Sequence, residues 1–83
     1  MRPALSKAQR QEWNTLRKTI GTNMQRYRHQ RGLSLAYCAR KMAISPDILD
    51  DYELGKRSIT VLHLLRFAHA VETPFMELLG SRD

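Results

Sequence analysis

The chain is predicted to be all-α, with five helices around one core. Three observations carry that prediction. Apolar residues recur at helical spacings of three and four, no stretch alternates apolar and polar as a strand does, and serines and glycines punctuate the chain where helices would start and stop. Its 83 residues and 42% apolar content suit one small domain with a core of modest stability. No repeat or low-complexity tract divides it. Residues 1–12 read as a basic, partly helical N-terminal arm, and residues 13–83 as the domain proper.

The elements follow in order. Met1 to Leu5, with Pro3, reads as a loose basic arm. Ser6 is a candidate cap for a helix running to Arg31, in which Trp13, Leu16, Ile20, Met24 and Tyr27 recur at spacings of 3, 4, 4 and 3. Gly21 and Asn23 weaken its middle, so a kink or a late start near Trp13 is compatible with the pattern. Ser34 caps a second helix, roughly 35–42, that places Cys38, Ala39 and Met42 on one face. Ser45-Pro46 restarts a third, about 46–54, because a proline's missing N–H costs nothing in a first turn. Leu49 and Tyr52 line its inner side, and Gly55 stops it before Lys56-Arg57. Val61 to Val71 is a fourth helix with Val61, Leu64, Leu65 and Ala68 on one side. Pro74 opens a short fifth, Phe75 to Leu79, ended by Gly80.

Two short helices joined by a tight turn, with small Ala39 where they must cross, have the pattern of a helix-turn-helix. The residues Ile20-Gly21, Arg28, Arg31-Gly32-Leu33-Ser34, Ala39, Ile44-Ser45, Tyr52-Glu53, Gly55-Lys56 and Leu64-Leu65…Ala68 stand in an order that resembles the phage-repressor or Cro-type (XRE-like) family, from about Ile20 to Leu79. The resemblance implies a compact repressor-like domain that reads DNA with the helix at 46–54. Two departures stand out. Ala43 occupies the turn position usually held by glycine, and the open side of the 46–54 helix is acidic.

Charge is unevenly spread along the chain. Residues 1–46 carry ten Lys/Arg against Glu12 alone, a balance of +9, while Asp47, Asp50, Asp51 and Glu53 give 47–53 a balance of −4. A basic body with an acidic helix set into it accounts for the net +6. That net charge permits a polyanionic partner without demonstrating one. A single cysteine excludes an internal disulfide and a multi-cysteine metal site, and no apolar run approaches a membrane span or a signal peptide. A reducing cytoplasm is the simplest expectation. His29 falls in the first helix and His63 and His69 in the fourth, without ligand spacing, Cys38 faces the core, and neither a carboxylate pair in an apolar pocket nor a glycine-rich phosphate loop occurs. The expectation is therefore no catalysis, metal, cofactor or small-molecule substrate.

The resemblance assigns Arg28 and Glu53 to a structural ion pair that clamps two helices. It assigns DNA-backbone contacts to Ser34 with the adjoining helix N-terminus, and to Lys56 and Arg57, with Arg40 and Lys41 as additional candidates. Leu35 stands where relatives often carry a glutamine, which removes one polar phosphate contact. Base-reading positions correspond to Pro46, Asp47 and Asp51, with Asp50 beside them. Carboxylates accept a hydrogen bond from cytosine N4, and an apolar side chain meets a thymine methyl. Asp47 has a structural reading as well, since an acid in a first turn complements the helix dipole. Asp50 and Asp51 have no such role, and like charges at these spacings oppose the helix mildly.

Two readings of that acidic face follow: it reads cytosines in an operator, or it docks a basic protein. Leu62, His63, Phe75, Met76 and Leu79 form a candidate homodimer interface, with completion of the core as their alternative role. Trp13 and Leu16 form a second candidate surface. The expected function is a sequence-specific transcriptional regulator, an autoregulating repressor that binds a double-stranded operator as a homodimer. Short members of the resembled family often belong to phages, plasmids, other mobile elements, restriction-modification controllers or toxin–antitoxin pairs. The alternative is a protein-interaction module or antiactivator of the same fold that does not read DNA.

Overall fold

The computed structural model describes residues 4–80. It contains α1 (Lys7–Gln30), α2 (Leu35–Met42), α3 (Pro46–Glu53) and α4 (Val61–Ala70), followed by one turn of 3₁₀ helix at Phe75–Leu78. No strand occurs among the described residues, and no helix there is long and apolar enough to cross a membrane. Four α-helices rather than five therefore build the domain. The predicted fifth helix is a single 3₁₀ turn, flanked by the i to i+3 bonds Glu77 N→Pro74 O and Leu79 N→Met76 O, and the carbonyls of Leu78 and Gly80 that follow are taken by the Asn23 side chain of α1.

The start signal of α1 is realised. Ser6 and Gln9 exchange reciprocal side-chain-to-backbone bonds of 3.1 and 2.9 Å, a capping box. The helix then runs unbroken through Gly21 and Asn23, and both residues have a packing reason to be there. A Cβ on Gly21 would lie 2.5 Å from the carbonyl oxygen of Tyr52 and 2.7 Å from that of Glu53, so glycine is what lets α1 touch the end of α3. Asn23 is buried and its amide donates to the carbonyls of Leu78 (2.9 Å) and Gly80 (2.8 Å), tying the C-terminal turn to α1.

Only the second half of the predicted α1 stripe is in the core. Ile20 and Met24 are buried and Tyr27 packs at the edge, whereas Trp13 and Leu16 remain exposed. The face predicted for α4 is rotated as well. Leu64, Phe67, Ala68 and Val71 are buried, while Val61 and Leu65 stand open. Phe67, at the i+3 position from Leu64, contributes a larger apolar surface than Val61, and packing selects the face that buries it. Met24, Met42, Leu49, Val71 and Leu78 complete a core in which Cys38 and Ala39 have no exposed surface.

The turn between α2 and α3 has the predicted geometry. Ala43 sits at φ 60°, ψ 41°, the left-handed conformation that glycine adopts without strain, and its N–H bonds back to Arg40 O while Ile44 N returns to Ala39 O. Ser34, Ser45 and Thr60 each cap the following helix through the side-chain oxygen.

Candidate nucleic-acid interface

Helix α3 is anchored along its inner side. Leu49 and Tyr52 are buried, Ile48 is partly so, and the Tyr52 hydroxyl shares a 2.8 Å hydrogen bond with His63 Nδ1 on α4. Burial raises the Tyr52 phenol above its usual range. The remaining inward residue, Glu53, is gripped by Arg28: Nε to Oε2 at 2.7 Å and Nη2 to Oε1 at 2.9 Å. The Glu53 side chain is only 2% exposed and that of Arg28 12%. Hydrogen bonding to Glu53 holds the Arg28 guanidinium above its ordinary pKa, and its Nη1 reaches on to Leu33 O at 3.1 Å. The predicted clamp is thus present in bidentate form, locking α3 to α1 and to the loop that leads into α2.

With that side fixed, the opposite side of α3 is presented to solvent. Pro46, Asp47, Asp50 and Leu54 are exposed, and Asp51 is partly so. Of these, Pro46, Asp47, Asp50 and Asp51 are the residues expected to face base edges. Asp51 is not isolated, because Arg57 Nη2 lies 3.4 Å from its Oδ2. Sequence reasoning placed Asp51 and Arg57 in separate roles, and the structure brings them side by side. Lys56 is exposed beside them.

The other predicted backbone contacts are placed as follows. Ser34 is exposed at the start of α2, its Oγ accepting Tyr37 N at 3.0 Å. Arg40 and Lys41 are exposed on α2, with Lys41 Nζ 5.5 Å from the centre of the Tyr37 ring. Arg2, in the basic arm, lies outside the described residues, and Lys7 and Arg10 sit in the first turns of α1, as the Ser6 cap implies.

Counting cations along the sequence overstates what is available to phosphate. Arg17 Nε donates to Gly55 O at 2.8 Å, Arg31 to Val71 O and Glu72 O at 2.8 and 3.1 Å, and Arg66 to Met42 O at 3.1 Å. Each satisfies carbonyls left over at a helix end. Arg17 matters to the interface although no sequence signal marked it. By holding the carbonyl just before Lys56, it fixes the loop that carries both loop cations. A bond between residues 38 positions apart has no local signature.

The expected dimer residues divide in two. Leu62 and Met76 are 54% and 71% exposed. Phe75 and Leu79 pack against the core, and His63, expected off the core stripe, is half-buried through its bond to Tyr52. Among the described residues no group of three or more His, Cys, Asp or Glu side chains is placed to hold a metal ion.

No protein-family model matches the chain. The HTH-type transcriptional regulator y4dJ of Sinorhizobium fredii, itself uncharacterised, is 31% identical over 68 residues, covering 82% of this chain and 88% of the relative. Among solved structures, the DNA-binding domain of BldD superposes with a TM-score of 0.71 at 30% identity, covering 81% of this chain and 97% of its own. The clp gene regulator ClgR of C. glutamicum gives a TM-score of 0.74 at 25% identity, over 77% of this chain and 83% of the other. These relatives are regulators and DNA-binding domains, not enzymes. A recognition helix locked from behind and open in front, in a chain with these relatives, identifies a DNA-binding transcription regulator of the helix-turn-helix family.

Proposed function

We propose that the chain is an XRE-type repressor that binds an operator near its own gene as a homodimer in the cytoplasm. The observation that carries this reading is the outward face of α3. Arg28 and Glu53 fix the helix from behind, and Pro46, Asp47, Asp50 and Asp51 stand in front with Lys56 and Arg57 at its end. Asp47 and Asp51, with Asp50 beside them, serve as acceptors for cytosine N4, and Pro46 and Leu54 as contacts for thymine methyls. Ser34, Arg40, Lys41, Lys56 and Arg57 supply the phosphate contacts that hold the helix in the groove. The pair formed with Arg57 offsets part of the repulsion that Asp51 feels from phosphate.

The domain measures 40 × 31 × 18 Å. Two copies side by side put equivalent helices about one domain width apart, close to the ~34 Å of one DNA turn. Bound at its own promoter, such a dimer excludes polymerase and closes a feedback loop.

A gel-shift titration against the DNA upstream of its own gene, at two salt concentrations and beside random DNA of equal length, tests the reading. Selective retention that weakens with salt is expected. Equal retention of both DNAs, or none, contradicts it. Capture of a basic protein that Asp50→Lys abolishes would then support the docking alternative.

A further inference from the structure

A cleft of about 650 Å³ lies between α2 and α4. Tyr37 and Lys41, one helical turn apart, form its α2 wall, and Leu65, Arg66, His69 and Ala70 its α4 wall. Arg31, Leu33 and Glu72, from the segments at the helix ends, complete it. Among the described residues, none of α3 or of the loop after it lines this cleft, so it is separate from the face assigned to base reading.

Charge and exposure identify the occupant. Arg31, Lys41 and Arg66 stand with His69 against one acid, Glu72. Two of these cations are held in place: Arg31 donates to Val71 O and Glu72 O at 2.8 and 3.1 Å, and Arg66 Nη1 donates to Met42 O at 3.1 Å. Those bonds leave Arg31 Nη1 and Arg66 Nε and Nη2 without an internal acceptor among the described residues. Donors fixed beforehand lose little freedom when they meet a carboxylate. Beside them lies apolar surface: Leu33, the Tyr37 ring, Ala70 and Leu65, which is 41% exposed because packing chose Phe67 for the core. A sugar-phosphate backbone has no use for that surface. No lining residue is buried, and only Leu33, Tyr37 and Ala70 are half-buried, so the cleft is too open to enclose a small molecule as small-ligand sites do. A chain segment that runs out past both ends needs no enclosure.

We propose that the α2–α4 cleft docks an acidic segment of a partner protein. An apolar side chain of that segment rests on Leu33, Tyr37 and Leu65, and its carboxylates meet Arg31, Lys41 and Arg66. The site goes beyond the operator reading and shares only Lys41 with it. It also takes a partner of the opposite charge to the one that the acidic face of α3 would attract.

The experiment titrates the full chain with a synthetic peptide in which pairs of glutamates flank a central phenylalanine, and follows the backbone amides by NMR. Saturable shifts at Leu33, Tyr37, Leu65 and His69 are expected, with α3 unmoved. Glu72→Gln removes the one opposing charge and should tighten the peptide several-fold, an outcome that loss of structure cannot imitate. His69→Glu, at an exposed position, should weaken it several-fold with an unchanged thermal melt and unchanged operator retention. A peptide with serine in place of phenylalanine should bind several-fold more weakly. Equal binding of the serine peptide, or no saturable shift, overturns the proposal. Random duplex DNA that shifts Leu65, His69 and Glu72 overturns it in favour of a phosphate surface. Concentration-dependent shifts of the same amides without peptide, abolished by Asp50→Lys, overturn it in favour of the acidic helix of a second copy. Selective operator retention without peptide binding defeats this proposal alone. Peptide binding without operator selection upholds the cleft and defeats the repressor reading.

Discussion

Arg28 grips both carboxylate oxygens of Glu53, at 2.7 and 2.9 Å, across 25 residues of sequence, and so fixes the recognition helix to the long helix behind it. Removing one partner of a buried pair leaves the other charge without compensation, at roughly 3–5 kcal/mol. Arg28→Ala and Glu53→Ala should each destabilise by that order, and the double variant by much less than their sum. Denaturant titration of the four proteins measures the coupling. Additive losses below about 1 kcal/mol would mean that the pair behaves as ordinary surface charges do.

Ala43 holds φ 60° and ψ 41° with a Cβ that this conformation disfavours by about 1–2 kcal/mol. Ala43→Gly relieves that strain and adds unfolded-chain entropy of comparable size. The melting temperature should stay level or rise. A clear fall would show that the turn is not strained at Ala43.

Gly21 presents the opposite case. A methyl group there meets two backbone oxygens at 2.5 and 2.7 Å, and backbone cannot swing aside as a side chain can. Gly21→Ala should therefore destabilise by about 1–3 kcal/mol through overpacking, although alanine is the better helix former by about 1 kcal/mol. A more stable variant would indicate that α1 and α3 separate easily.

Cys38 has no exposed surface, and burial pushes its thiol above the ordinary value of 9.0. The unfolded chain then ionises first. The thiol's contribution to stability is whole below that value and is lost as pH rises toward the folded one. Between about pH 8 and pH 10 the wild type should lose more stability than Cys38→Ala. Equal losses would mean that Cys38 titrates as if exposed.

Local signals made the helices legible: Ser6, Ser34 and Ser45 cap where they should, and Ala43 turns as its position in the motif implies. The α4 face was misjudged because Val61 and Leu65 share the helical spacing of Leu64, and only tertiary packing chooses Phe67 over them. The last helix failed for lack of length, not of apolar residues. At the interface, exposure of Asp47 and Asp50 followed from periodicity. The Asp51–Arg57 contact at 3.4 Å depends on how the chain leaves α3, which Arg17 sets from a distant helix.

The central claim is that the outward face of α3 reads operator bases. Gel-shift affinities of wild type, Asp51→Ala and Lys56→Ala for the DNA upstream of the gene and for random DNA test it most directly. Asp51→Ala should lose about 1–3 kcal/mol on the operator alone and relax preference at one base pair, with random DNA bound as well or better. Lys56→Ala should weaken both DNAs alike and make the salt slope shallower by about one unit. A wild type that selects an operator which Asp51→Ala binds unchanged would contradict the base-reading role assigned to this face.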